Sequence, residues 1–441
     1  MTVTEVTSGS ARVAFPGMTL AFPDQGRLLL GPGGFLISRV DEAGLRRIDQ
    51  ADLDPPVIWE TSEDETFTLR YLLDHASATW DEARDLLLDL SLAARNVAMT
   101  SLGPAETGLN PRLFIDQLDV SLESEAVAYG RFDQTGILVA EGLLLDPQDG
   151  RTEVDRFQVT LAFDGADQDL IEAWRERLDN LAPGERPSGL PPVSSLASRA
   201  SLELALQRWR VWPPEDSEMH PPFADWWLDD LTLRASAWRE NEGQTIGLSL
   251  LSAGTGIGTD APGQTAYLQA ARFVAEDWYL PMQFTGIPVA AIDRLLADWA
   301  AGASEARGLV IDPESPIDYG AFFQAVGRAG VELEIDEARM SGESGAVSGS
   351  LQLTFEPNLP LGVFGEADFV LSGVDDTAEA LGEVDDPTAT RFAFFVTTFL
   401  KGLGQAEVGP EGEIVYRYRI EIDRSGTSTL NGLPLNDLFN R

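Results

Sequence analysis

Three segments of this chain join an alternating apolar stretch to a helical stretch through a glycine. They read VTLAFDGADQDLIEAWRERL, LPMQFTGIPVAAIDRLLADW and ADFVLSGVDDTAEAL, with the glycines Gly165, Gly286 and Gly373. Side chains of a strand alternate with a period of two, whereas those of a helix recur every 3.6 residues, so each glycine marks a strand-to-helix corner. The recurrence of this corner predicts a modular, sheet-rich scaffold.

Alternating apolar stretches bounded by Gly, Pro and Asp occupy most of the remaining chain. They predict a β-rich α+β fold, in which long, curved antiparallel sheets carry a short amphipathic helix packed on each repeat unit. Residues 66–98 fit both an alternating and a partly helical pattern, and we favour a pair of strands. The segment RFAFFVTTFLKGL is interpreted as either a helix or a buried strand.

Composition and spacing divide the chain into three predicted units. Residues 1–181 form an N-terminal β-rich unit that ends in a helix, residues 195–302 a β-rich unit that is rich in tryptophan, and residues 303–441 a C-terminal β-rich unit. The segment APGERPSGLPPVSS at 182–195 has the proline, glycine and serine content of a linker.

The chain is strongly acidic, with 72 Asp and Glu against 31 Lys and Arg and a formal net charge of −41. Nucleic acid and anionic lipid headgroups repel such a polyanion, so neither is expected as a partner. The absence of cysteine excludes thiol nucleophiles, disulfides and thiolate metal sites. No apolar run approaches the roughly 20 residues of a membrane span, and the first residues lack the pattern of an export signal.

Few residues have the type and spacing of a catalytic or metal site. The two histidines, His75 and His220, lie far apart, and no serine stands in a G-x-S-x-G pattern. The glycines between 254 and 258 lack the lysine of a phosphate loop and are interpreted as a turn. The acidic residues at 146–155 do not match an EF-hand, and those at 375–386 are interpreted as a solvated loop. No catalytic residue, metal ligand or cofactor is therefore predicted.

Tryptophans are the candidates for a binding site. Six of the ten fall in the middle of the chain, and they are Trp209, Trp212, Trp226, Trp227, Trp238 and Trp278. Aromatic-lined sheets bind apolar ligands or carbohydrate, so these six are the candidate ligand-binding residues. The alternative, which we favour, is that they pack between the sheets and the helices that cover them.

The last third of the chain, roughly Val331 to Leu435, contains three characteristic segments. They are VELEIDEARMSGESGAVSGSLQLTF, LPLGVFGEADFVLSGVDDTAEAL and the tail YRYRIEIDRSGTSTLNGLPL. Together they resemble a periplasmic family of unknown function common in alphaproteobacteria, which is distantly similar to YdgA-like and AsmA-like envelope proteins. The resemblance implies a β-rich fold, export and a periplasmic or envelope location, and it carries no catalytic residues.

These observations favour a non-enzymatic, envelope-associated scaffold that binds an apolar, lipid-like ligand or a protein partner. One alternative is a hydrolase that acts on envelope glycans through two carboxylates about 5–10 Å apart. Another is a purely structural or assembly protein. An apolar trough that the helices leave open is expected only for a scaffold that binds an apolar ligand.

Overall fold

The computed structural model describes residues 2–6, 10–22, 26–53, 55–61, 66–84, 86–101, 112–128, 130–146, 151–179, 195–212, 226–241, 244–259, 275–295, 319–343, 345–382, 394, 396–409 and 412–435. The chain divides into two compact units, Met1–Ser217 with Ala297–Ile317 and Glu218–Leu296 with Asp318–Arg441. The predicted boundaries between 181 and 195 and between 302 and 303 lie outside the described residues, as does the predicted linker up to residue 194.

The first unit consists of antiparallel strands. Strands β8–β13 pair in chain order, each with the next. The other edge of β8 pairs with β7 near its start and with β6 near its end, so the N-terminal strands join this sheet in two branches. The described elements are β1 (Thr2–Val6), β2 (Ser10–Phe15), β3 (Met18–Phe22), β4 (Gly26–Leu30), β5 (Gly33–Ser38), β6 (Leu45–Leu53), β7 (Val57–Thr61), β8 (Thr66–Asp81), β9 (Leu86–Ser101), β10 (Arg112–Ala128), β11 (Arg131–Asp146), β12 (Arg151–Asp167), the helix α1 (Gln168–Asp179) and β13 (Arg199–Trp212).

The second unit is also antiparallel, with β14, β15, β17, β18, β19, β20 and β22 paired in that order. Its described strands are β14 (Trp226–Glu240), β15 (Thr245–Thr255), β16 (Gly258–Thr259), β17 (Asp277–Pro288), β18 (Glu332–Gly342), β19 (Gly345–Phe355), β20 (Val363–Ser372), β21 (Gln405–Val408), β22 (Ile414–Ile422), β23 (Ser428–Leu430) and β24 (Leu433–Pro434). Its described helices are α2 (residues 289–295), α3 (Tyr319–Ala329), α4 (Val374–Gly382) and the π-helical turn Val396–Lys401. The expected β-rich, antiparallel fold is thus confirmed.

Residues 66–98 form strands, as the alternating pattern predicts. β8 and β9 pair from Phe67↔Ser101 to Asp81↔Leu86, and β9 pairs on its other edge with β10. Strands form here rather than a helix because the ladders satisfy backbone groups of β9 on both edges and of β8 on its edge with β9 and at both ends of its other edge. In the segment RFAFFVTTFLKGL, the described residues form the π-helical turn, so its helical interpretation is correct there.

Each of the three predicted corners contains a glycine in the left-handed region. The φ angles are 58° at Gly165, 79° at Gly286 and 68° at Gly373. Neighbouring carboxylates hold the first two, since the Gly165 N–H donates to Asp133 Oδ1 at 2.7 Å and the Gly286 N–H to Glu240 Oε2 at 3.0 Å. A helix begins within three residues of each glycine. Gly165 and Gly286 lie at register shifts near the ends of β12 and β17, and Gly373 directly precedes a helix.

Helices pack on the second unit's sheet at two apolar clusters. In one, Val326 of α3 packs with Ile287 and the fully buried Val331. In the other, Val374 of α4 packs with buried residues of β22 and β23, which are Tyr416, Tyr418 and Leu430. The Tyr418 hydroxyl donates a hydrogen bond to the carbonyl oxygen of Leu400, which fixes the π-helical turn onto the sheet.

Replacing Gly286 by alanine tests the backbone requirement at the second corner. No atom lies within 4 Å of the added Cβ, so the cost comes from the left-handed backbone. We expect a loss of about 1–2 kcal/mol in the free energy of unfolding. Gly402→Ala is the matched control, because its Cβ position is equally open and its φ is not positive. Urea denaturation that gives both variants the same midpoint would contradict the conformational role of Gly286.

Stability is expected to fall in alkaline solution because of Tyr418. Burial raises the pKa of its hydroxyl from 10.0 to about 12, and Tyr416 acts in the same direction. Between these values the folded state keeps a proton that the unfolded chain releases, so the free energy of unfolding decreases as pH rises from about 10 to 12 and is unaffected below. Urea denaturation of Tyr418→Phe across this range should show a flatter profile, and an unchanged slope would contradict the assignment.

Candidate functional site

Three adjacent cross-strand rows on one side of the first unit's sheet contain only apolar side chains or glycine. We call these positions the apolar face. The rows are Leu73–Ala94–Leu118–Ala140–Phe157–Leu206, Ala76–Leu92–Val120–Leu138–Val159–Leu204 and Ala78–Leu90–Leu122–Gly136–Leu161–Leu202. Because side chains alternate across a strand, the row between the last two points to the opposite side, and it is mostly polar: Ser77–Ser91–Ser121–Ile137–Thr160–Glu203.

Burial decreases from one margin of the apolar face to the other. Ala94 and Ala140 are 4% and 1% exposed, whereas Leu161 and Leu202 are 41% and 45% exposed. In the described residues, the substantial contacts of β10–β13 are with neighbouring strands and, for β12, with α1. The row that contains Leu161 and Leu202 therefore presents apolar surface to solvent.

Beyond these three rows, the apolar side of the sheet continues past a row of inserted residues, which we call the offset row. Ala94 and Val97, and likewise Ala140 and Leu143, share one core cluster although they lie three residues apart. Between them, each strand from β9 to β13 inserts one extra residue at the same level, and the inserted residues are Asn96, Asp116, Gly142, Asp155 and Arg208. Left-handed residues at alternate strands accommodate the insertion, with φ of 53° at Asn96, 64° at Gly142 and 49° at Arg208.

The offset row concentrates charge on the opposite side of the sheet. Arg208 Nε lies 2.7 Å from Asp155 Oδ2, and the Asp116 carboxylate lies so close to Gly142 that a Cβ there would approach its Oδ2 to 2.2 Å. Arg156 Nη1 donates to Glu141 Oε1 at 3.0 Å in the neighbouring register position. Each strand thus separates its charged residues from its apolar ones, although the period of two is interrupted.

A further ion pair, between β8 and β9, has shifted pKa values. Arg95 donates two hydrogen bonds to the Asp74 carboxylate, at 2.5 and 2.6 Å. These bonds lower the pKa of Asp74 and raise the pKa of Arg95. Both groups are solvent-exposed and lie outside the apolar rows, so the pair joins β8 to β9 and is an ordinary exposed ion pair.

The candidate tryptophans occupy several separate places. Trp209 and Trp212 lie on β13, Trp227 and Trp238 on β14 and Trp278 on β17, whereas the side chain of Trp226 is outside the described residues. Trp209 pairs in register with the buried Val154, and the Trp212 ring centroid lies 5.4 Å from the Arg151 guanidinium carbon. The described contacts of Trp209 and Trp212 on β13 therefore differ from each other.

Three of the tryptophans cover glycines of the neighbouring strand. Trp227, Trp238 and Trp278 stand directly opposite Gly258, Gly247 and Gly254, and a Cβ added to these glycines would come within 2.5, 2.2 and 2.3 Å of the facing ring. A strand glycine exposes backbone, which an aromatic ring across the ladder shields. This contact favours packing for these three residues, and ligand binding by the six tryptophans stays a prediction.

The remaining predicted features have ordinary structural partners. The exposed His75 places Nε2 2.9 Å from Ser77 Oγ, and His220 lies outside the described residues. Gly256 has the positive φ of a turn, but Gly254 belongs to β15, which corrects the interpretation of 254–258 as a turn throughout. In the parts of the chain that the structure describes, no group of three or more His, Cys, Asp or Glu could hold a metal ion.

The acidic residues that are described also have defined contacts. Glu153 pairs with Arg151, and Asp155 pairs with Arg208, which gives these carboxylates cationic partners of the chain itself. Asp375 lies in the first turn of α4, where it contacts Lys401 and accepts a hydrogen bond from the Tyr416 hydroxyl at 3.3 Å. Residues 147–150 and 383–393, which complete the two acidic groups, are outside the described residues.

Comparison with known proteins adds no relative. No protein family, no curated protein and no solved structure matches this chain. Among the described helices, none combines the length and the apolar character needed to cross a membrane. The apolar face, with its three rows of apolar side chains, is the site that the geometry of the described residues supports best.

Sequence reasoning found the strands of this site but missed the apolar face itself. The alternation in RLFIDQLDVSLE and GILVAEGLLLD shows that each strand has an apolar side, yet it does not show which residues become neighbours across strands. The three-residue spacing of Ala94 and Val97, repeated at Ile115 and Leu118, was the available signal. Spacing of three interrupts a period of two, and finding it on consecutive strands indicates an insertion at the same level.

A double-mutant cycle tests the tryptophan–glycine contact. We expect Gly254→Ala to lower the free energy of unfolding by about 1–3 kcal/mol, because the new methyl group must displace the Trp278 ring. In a Trp278→Ala background the same substitution should cost less than about 0.5 kcal/mol, since the clash is gone. Equal costs in both backgrounds, measured by urea denaturation, would show that Trp278 does not cover Gly254.

Proposed function

We propose that this protein is a non-enzymatic, envelope-associated scaffold whose apolar face binds the acyl chain of a lipid. The carrying observation is the apolar face, where 18 register positions contain no polar side chain. Monomeric proteins rarely leave contiguous apolar surface exposed, and such surface marks a binding site when it occurs. The envelope location is part of this proposal and rests on the resemblance of residues 331–435 to envelope proteins.

The dimensions of the apolar face suit a long hydrocarbon chain. Strands lie about 4.8 Å apart, so the six strands span about 24 Å between the first and the last. A bilayer has a hydrocarbon core of about 30 Å, so one acyl chain needs about 15 Å. The apolar face is therefore wide enough to take one whole acyl chain across its strands.

The energy of such binding follows from the apolar area that is removed from water. Each methylene group that becomes buried contributes about 0.8 kcal/mol. Association costs about 4–15 kcal/mol in lost translational and rotational freedom, which about 5 to about 19 buried methylene groups offset, so useful affinity requires a long chain. Short-chain metabolites would gain too little free energy of binding on this surface. We therefore propose a long-chain lipid as the ligand.

Two features expected from the sequence are part of this proposal: the curvature of the sheets and the short amphipathic helix on each repeat unit. The row of inserted residues at Asn96, Gly142 and Arg208 supports a curved sheet, because extra residues bend and twist the strands that carry them. The three corners support a repeat in which a short amphipathic helix packs at the end of each sheet segment. In the first unit, the substantial contacts of α1 among the described residues are with β12. We propose that the rows on the other strands stay available to a ligand.

Filling the exposed row of the apolar face at Gly136 provides the direct test. The nearest atoms to a Cβ at Gly136 are backbone oxygens of Leu161 and Ser121 at 4.0 Å, so a phenylalanine can enter without a steric conflict at Cβ. We expect Gly136→Phe to weaken binding of a pyrene-labelled long-chain alcohol at least tenfold, because its ring occupies the space of the chain. Fluorescence titration of the purified full-length chain measures the change.

The adjacent Thr135→Phe is the matched control. Thr135 is exposed and points to the opposite side of the same strand, so the same ring is added to the same sheet outside the apolar face. Binding by Thr135→Phe should equal that of the unchanged protein, and the urea midpoints of both variants show whether each remains folded. Absence of saturable binding by the unchanged protein, or equal weakening in the two variants, would overturn the proposed function.

A further inference from the structure

We propose, on the basis of the proposed function, that the apolar face selects long-chain lipids with an uncharged head group and discriminates against anionic ones. Two observations carry this inference. The apolar face itself offers no charged or polar side chain to a head group. Five arginines of the long strands are paired with carboxylates of the chain itself, in a protein whose formal net charge is −41.

The first observation concerns what an anionic head group requires. A phosphate or carboxylate that leaves water needs donors in place, and an Arg fork is the strongest of these. The three rows of the apolar face contain Leu, Val, Ala, Phe and Gly, none of which has a side-chain donor. A head group must therefore stay at the margin of the face, in contact with solvent and with the strands' outer residues.

The second observation concerns the arginines of the long strands. Five of them lie within 4.0 Å of a carboxylate of the chain itself. These pairs are Arg95–Asp74, Arg131–Asp167, Arg151–Glu153, Arg156–Glu141 and Arg208–Asp155. An anionic head group would have to compete with an intramolecular carboxylate for each of these guanidinium groups, whereas an uncharged head group faces no such competition.

The formal net charge of −41 acts in the same direction. An excess of one sign produces a potential over the whole surface that lowers the local concentration of like-charged ligands. This repulsion is screened by salt, with a Debye length of about 30 Å at 0.01 M and about 10 Å at 0.1 M ionic strength. Discrimination between head groups should therefore depend on ionic strength. The contribution of the lipid's acyl chain to the free energy of binding should not.

A pair of probes with the same tail separates the head group from the chain. One is a pyrene-labelled long-chain alcohol and the other the carboxylic acid of identical chain length, which is ionised at pH 8. Fluorescence titration of the full-length protein at 0.01 M salt should give at least tenfold tighter binding of the alcohol. At 0.3 M salt the ratio should fall toward one, with little change in the dissociation constant of the alcohol.

The outcomes distinguish this inference from the proposed function on which it rests. Equal or tighter binding of the carboxylate at low salt, with loss of binding in Gly136→Phe, overturns the head-group selectivity and leaves the acyl site intact. A preference for the alcohol that does not change with salt also overturns it, because repulsion by the net charge would then not be its cause. If neither probe binds, the acyl site itself is absent and the proposed function fails.

Discussion

Cross-strand register is the constraint on which the first unit depends. Its strands β8–β13 are 14 to 17 residues long, and each is antiparallel to the next. A slip of one residue in any of them would move its apolar residues to the charged side of the sheet. The register stays intact through the inserted row, because the insertion occurs at one level on all five strands from β9 to β13 and shifts no strand against its neighbour. Three residues of this row have a left-handed backbone, and they are Asn96, Gly142 and Arg208.

The two units use the same kind of sheet with different covering. In the second unit, strands of 9 to 15 residues form the central ladder, and α3 and α4 bring Val326 and Val374 onto buried clusters. In the first unit, the longer strands extend the apolar side beyond the reach of one 12-residue helix that packs beside β12. A helix of that length is about 18 Å long, so it covers only part of a sheet that is about 24 Å wide. The width of the sheet relative to the length of the helix thus leaves apolar surface open.

Charge is arranged on the long sheet so that it does not interrupt the apolar face. The ion pairs Arg156–Glu141 and Arg208–Asp155 lie at and beside the inserted row, where two successive residues point away from the apolar side. Exposed pairs of this kind contribute little stability individually, about 0–1 kcal/mol. Their larger effect is to engage guanidinium groups with carboxylates of the chain on the side of the sheet that points away from the apolar face.

The sequence by itself determined the type of element at most positions that the structure describes. Alternation in β8–β13, the helical spacing after Gly165, and the glycines at the three corners follow from local sterics, because side-chain period and left-handed backbone depend on neighbouring residues. The apolar face could not be derived in this way. It depends on which residue of one strand stands opposite which residue of the next, and that register is set by turns and insertions far apart in the chain.

The tryptophans show the same division between local and tertiary information. Their clustering in the sequence indicated a binding surface or a packing layer, and both interpretations use the same residues. The structure places Trp238 opposite Gly247 and Trp278 opposite Gly254, contacts that a single strand does not reveal. Sequence therefore determined the elements and their amphipathic character, whereas tertiary structure decided where apolar surface is covered, because covering requires a partner residue whose position is known only when the strands are paired.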